Sequence, residues 1–124
     1  MWEVAYETIT YAQNLPPRGR RTGNLHQGDS SIRYFTGFTG GESLLYVDAL
    51  RAVLITDSRY ILQAQQQAPE CEILEHQHGL FSVVDQVRPA WRLALDGDYF
   101  SYTEATALQK ALPKASFKNV NLVF

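Results

Sequence analysis

Cysteine is nearly missing from this chain: Cys71 stands alone among 124 residues. No internal disulfide framework is available, so a reducing compartment is the default. Long apolar runs are missing too; none approaches the roughly 20 residues that a bilayer crossing needs. The opening stretch, MWEVAYETIT, carries acids where a secretory leader carries basic residues. A cytoplasmic location without membrane attachment is therefore expected. Nor does one sign of charge dominate. Eleven Lys and Arg face thirteen Asp and Glu, for a formal net charge of -2, so no broad positive field invites nucleic acid. The one local concentration, Arg18, Arg20 and Arg21 after Pro16-Pro17, reads as a solvated basic loop. Internal repeats and extended low-complexity tracts are absent.

What is present suits one compact domain. The chain is 45% hydrophobic, and at this length folding buries about two-thirds of the unfolded surface. Residues 3–11, EVAYETITY, alternate at period two as a strand does, although Trp2, Tyr6 and Ile9 would also mark a helical face. Residues 14–31 are rich in Pro, Gly, Asn, Asp and Ser and read as a long loop. Ser43 to Val47 and Ala52 to Thr56 are two apolar runs around Asp48-Ala49-Leu50-Arg51, an antiparallel hairpin. Asp57 or Ser58 then caps a helix through Tyr60, Ile61 and Ala64 that stops before Pro69.

Further along, Glu72 to Leu74 reads as a strand, and Leu80, Val83, Val84 and Val87 fall on one helical face. Trp91 to Leu95 is a strand that runs into the turn Asp96-Gly97-Asp98. Ser101-Tyr102-Thr103-Glu104 is a capping box, and the helix it opens continues to Pro113. A last strand is expected at Val120 to Phe124. The whole is α/β: a single domain with a mixed β-sheet, a β-hairpin and flanking helices.

Candidate chemistry is sparse. His76 and His78, with Cys71, Glu72 and Glu75 near them, have metal-ligand character, but Gly79 follows at once and no distant cluster completes four ligands; a polar loop is the plainer reading. Asp57, Asp96 and Asp98 end strands, where converging carboxylates could hold Mg²⁺ for nuclease-like chemistry or simply close turns. Gly37-Phe38-Thr39-Gly40-Gly41 lacks the Lys-Ser/Thr of a phosphate loop and reads as a tight turn, with Gly37 and Gly40 suited to positive φ. Ser58 has no glycine-flanked elbow, and Cys71 has no dedicated base. Tyr34, Phe38 and Tyr60 read as core aromatics. Arg59 can pair with Asp57 or point at a partner.

Two strings carry more. Ile32-Arg33-Tyr34-Phe35-Thr36-Gly37-Phe38-Thr39-Gly40 and Thr56-Asp57-Ser58-Arg59-Tyr60, with Gln63-Ala64 after them, resemble the N-terminal domain of the creatinase/prolidase/Xaa-Pro aminopeptidase family. The resemblance spans residues 32–124 and implies a ribonuclease H-like (creatinase N-terminal domain-like) fold. It further implies a catalytic "pita-bread" domain that lies outside this chain, with two divalent metal ions, commonly manganese, hydrolysing short proline-containing peptides. By the same resemblance this chain holds no cofactor, metal ligand or catalytic residue. It serves homo-oligomer contacts and shapes access to the catalytic cleft, with Arg33, Tyr34, Phe38, Arg59 and Tyr60 as candidates to face substrate or partner. A stand-alone protein-binding module, and a carboxylate-metal nuclease, are the alternatives. Residues 1–31 depart from the pattern: either residues 3–11 supply the strand that precedes the "RYLTGF"-like turn, or the sheet lacks it and leaves an edge open to another chain.

Overall fold

Six strands form one mixed sheet in the computed structural model, which describes residues 17–96 and 99–120. In chain order these are β1 (Thr22–His26), α1 (Asp29–Thr36), β2 (Leu44–Asp48), β3 (Ala52–Thr56), α2 (Ile61–Gln67), β4 (Glu72–Glu75), a 3-10 helix (Leu80–Val87), β5 (Arg92–Asp96), α3 (Tyr102–Ala111) and β6 (Ser116–Val120). The sheet order is β4-β3-β2-β1-β5-β6. Only β2 runs against its neighbours; the pairs β1–β5, β3–β4 and β5–β6 are parallel. The expected mixed α/β domain with a hairpin is what forms.

The hairpin strands read as continuous apolar runs because both their sides are buried. On one side Leu44, Tyr46, Val53 and Ile55 join Leu25, Leu93 and Leu95 beneath Val84 and Val87 of the 3-10 helix and Leu108 of α3. On the other, Leu45 and Leu54 pack under Ile32 of α1, Phe38, and Ala64 of α2. Each large side chain buried in this way contributes about 1.5–3 kcal/mol. The Ser101 capping box forms as expected, with the Ser101 hydroxyl accepting from Glu104 N–H and the Glu104 carboxylate accepting from Ser101 N–H.

Several expectations need correction. Residues 14–31 are not one long loop: Thr22–His26 is a central strand, flanked by β2 and β5. It has a single aliphatic residue, Leu25, and a glycine whose added Cβ would sit 2.6 Å from the Tyr46 ring. Its pairing comes from its neighbours rather than from its own propensity. Arg18 and Arg21 are not solvated. The Arg18 guanidinium lies 3.6 Å over the Trp91 ring and pairs with Asp85 at 2.9 Å. Arg21 is buried with Asp48, and also donates to Arg88 O. Tyr46 Oη donates to the same Asp48 carboxylate at 2.6 Å and accepts from Ala90 N–H. Burial, then that bond, pushes the Tyr46 phenol up to about 12.

Helix α2 starts at Ile61 after Tyr60, with no side-chain cap; Asp57 instead accepts from Arg59 N–H in a turn. The segment over residues 80–87 is 3-10 rather than α, and it ends where Arg88 takes a left-handed φ of 54°. The final strand begins at Ser116, earlier than expected. The expected strand over residues 3–11, the Gly97-Asp98 part of the turn and the end of the Val120–Phe124 strand lie outside the described residues.

Candidate functional site

The segment that carries the first family-like string forms α1 and the loop after it. Gly37 closes α1 in the left-handed region, φ 82°, and its N–H donates to Arg33 O. That is the position where a glycine spares the Cβ penalty. Thr36 Oγ1 donates to Ile32 O at 2.7 Å and accepts from Phe38 N–H at 2.9 Å, which turns the chain inward. Phe38 then fills the core and is only 2% exposed. Gly40 does not adopt positive φ; it is needed because a Cβ there would lie 2.2 Å from the Phe38 ring. Gly41 meets Tyr60 Oη in the same way, at 2.5 Å. Thr39 N–H donates to Gln67 Oε1 of α2 at 2.9 Å. The loop is thereby moulded onto two aromatic rings and tied to the neighbouring helix.

This rigid turn presents the exposed side of α1. Tyr34 is 67% exposed, contrary to the core placement expected for it, and Arg33 is exposed beside it. Phe35, which sequence reasoning passed over, is edge-on to Tyr34 at 5.2 Å and packs on His26 at 4.8 Å. His26 is 3% exposed, and burial holds its imidazole below the ordinary pKa, while Asp96 pulls the other way. Asp96 is itself buried and accepts from Ser31 Oγ at 2.7 Å. A buried polar layer under α1 thus supports the aromatic pair. Nothing in the composition of that stretch marks His26, Ser31 and Asp96 as neighbours; only the parallel pairing of β1 with β5 brings them together.

On the other flank, Arg59 chelates Asp57 with two bonds, Nε to Oδ1 at 3.0 Å and Nη2 to Oδ2 at 2.8 Å. The bonds from Arg59 hold the Asp57 carboxyl below its usual range and push the guanidinium up. The guanidinium also lies 5.1 Å from the centre of the half-buried Tyr60 ring. Of the five candidates, then, Arg33, Tyr34, Arg59 and Tyr60 border this loop with some exposed surface. Phe38 has none to offer and acts as its anchor. A hollow of about 150 Å³ between α1 and the loop is lined by Asp29, Arg33, Phe38, Thr39 and Ser43 among others.

The carboxylates do not converge. Asp57 follows β3 and Asp96 ends β5, three strand spacings apart, which is about 14 Å; Asp98 lies outside the described residues. His76 Nδ1 accepts from Gly79 N–H within its own loop. Among the described residues no group of three or more His, Cys, Asp and Glu side chains gathers to hold a metal ion. The Cys71 thiol is pushed up by burial and by Glu70, away from the thiolate form that attacks substrates.

Comparison with known proteins bears on the chain as a whole. The creatinase/prolidase N-terminal domain profile matches residues 23–124, so it includes the strand that sequence reasoning left in a loop. The chain is 31% identical to the peptidase YqhT of Bacillus subtilis, over 75% of this chain and 29% of that protein. Among solved structures it resembles the Xaa-Pro dipeptidase of Bacillus anthracis, with 30% identity, a TM-score of 0.71, and coverage of 94% of this chain and 34% of that one. It also resembles an N-terminal creatinase/prolidase-like domain from Corynebacterium diphtheriae, with 25% identity, a TM-score of 0.74 and full coverage of both chains. The chain spans less than a third of the length of the curated relatives it matches.

Proposed function

The chain belongs to the creatinase/prolidase N-terminal domain family, and from that premise we propose that it is the non-catalytic accessory domain of a metal-dependent Xaa-Pro aminopeptidase or dipeptidase. In this reading it makes oligomer contacts in the cytoplasm and walls the cleft of a catalytic domain that takes short proline-containing peptides. Two divalent metal ions, manganese by the family resemblance, would supply the hydrolytic water in that other domain. Among the described residues no group of side chains gathers that would hold them.

The observation that carries the reading is the exposed Arg33-Tyr34 pair on a helix whose following turn is fixed by Phe38, Tyr60 and Gln67. A rigid support lets two side chains meet a short peptide or a neighbouring subunit at little ordering cost. Arg33 offers a guanidinium for a peptide carboxylate, and Tyr34 offers a ring for the proline face.

The test joins the chain to the catalytic domain of an Xaa-Pro peptidase and measures steady-state kinetics. Arg33→Ala and Tyr34→Ala should each raise KM for Xaa-Pro peptides by about tenfold while kcat stays near its starting value. An unchanged KM in both variants would remove the cleft-wall role. Hydrolysis of Xaa-Pro peptides by the chain alone would overturn the accessory reading.

A further inference from the structure

The hollow of about 150 Å³ beside the rigid turn carries opposite charges on its walls. Asp29 and Arg33 stand four residues apart on α1, which puts them on one face of the helix. That spacing ordinarily lets a carboxylate and a guanidinium pair. Among the described residues neither of them forms an ion pair; both line the hollow instead. Ile32 and Phe38, almost wholly buried, give it an apolar wall, and Thr39 and Ser43 add hydroxyl-bearing residues from the loop.

Ser43 is a second and independent sign. It is only 4% exposed, and among the described residues its hydroxyl forms no hydrogen bond. Leaving a polar group buried and unpaired is costly, so such a group calls for a partner. Ser43 lines this hollow and also a larger one that it shares with Asp29, Glu42 and Glu104. Charge is therefore polarised across the site. Arg33 is the one cation among the residues that line the smaller hollow, and further carboxylates gather beyond Asp29.

We propose that this hollow binds a small zwitterion, a free α-amino acid with a compact apolar side chain. Arg33 takes its carboxylate and Asp29 its ammonium. The Ser43 hydroxyl, donor and acceptor at once, pairs with either group, and the ligand's side chain rests on Ile32 and Phe38. About 150 Å³ is the space that one benzene ring fills in an apolar cavity. The hollow thus admits one small residue, not the ligands of pockets of about 300–1,000 Å³. Ligands of a single sign are disfavoured, because an anion meets Asp29 and a cation meets Arg33. The inference rests on the cleft-wall reading for its setting, in which cleavage of an amino-terminal residue releases such a zwitterion.

The test titrates L-alanine into the isotope-labelled chain and follows its amide resonances. Saturable shifts are expected at Arg33 and from Thr39 to Ser43, with a dissociation constant on the order of 1 mM for so small a ligand. N-acetyl-L-alanine lacks the ammonium and L-alaninamide lacks the carboxylate; each should bind about tenfold more weakly. Arg33→Gln should weaken L-alanine binding about tenfold and Ser43→Ala about threefold. Lys114→Gln, an exposed change between α3 and β6, should leave it unaltered. Arg33 is exposed, and matching circular dichroism would show that its variant folds. Absence of saturable shifts, equal binding of the two blocked analogues, or equal weakening by Lys114→Gln overturns the proposal. No peptidase takes part in this titration. Its failure therefore leaves the kinetic test of Arg33 and Tyr34 standing, and each reading falls by its own result.

Discussion

Among the described residues, strands β2 and β3 are covered from both sides, whereas β1 and β5 are covered from one side over most of their length. The first pair reads LLYVD and AVLIT; the second reads TGNLH and RLALD. Both pairs sit in the interior of the same sheet. The difference teaches that strand position in a sheet and strand hydrophobicity are separate matters. What sets the sequence is the number of faces that helices cover.

That contrast can be broken by substitution. Leu54→Ala, at a fully buried position of β3, should cost about 2–5 kcal/mol in urea unfolding. Asn24→Ala, at a half-buried position of β1 that points away from the Tyr46 side of the sheet, should stay within about 0.5 kcal/mol. Equal costs would mean that the two halves do not differ as described. A smaller loss tests the covered side of β1. Gly23→Ala pushes a Cβ against the Tyr46 ring and should cost about 1–3 kcal/mol, with loosening of the Tyr46–Asp48 bond visible as a downward shift in the Tyr46 titration.

The smallest effect concerns pH. His26 titrates below its ordinary 6.5 in the folded chain, so below that value the unfolded state binds more protons. Its stability contribution is fully present above pH 6.5 and is lost as pH falls from there through the folded pKa. His26→Phe should flatten the stability profile in that window, measured as denaturation midpoints. A slope unchanged by the substitution would assign the dependence to another group.

Legibility followed the same division. The hairpin could be read because each strand carries four apolar residues in a row, and the α3 start because Ser101 and Glu104 stand at capping-box spacing. Strand β1 could not, because Gly23 answers to the Tyr46 ring and Asn24 is polar, neither of them to strand propensity. Likewise SFKNV of β6 buries one side only and its alternation is short. At the candidate site the two family-like strings pointed to one loop and the helix before it. They did not separate the anchor Phe38 from the exposed Tyr34, since both are aromatics in one short segment. Phe35 on His26 and Ser31 on Asp96 join residues up to 65 positions apart, a distance over which local pattern carries no information.

The sequence by itself determined the α/β class, the hairpin, the capped third helix and the family, because these rest on local runs and on strings of fixed spacing. Tertiary structure alone decided that Thr22–His26 is a central strand, that Arg18 and Arg21 are tied down, and that Arg92 and Lys118 share one face of the sheet. The physical reason is that burial and pairing belong to contacts between distant segments. A glycine, an asparagine or an arginine takes its role from whatever ring, carboxylate or open face the fold places beside it.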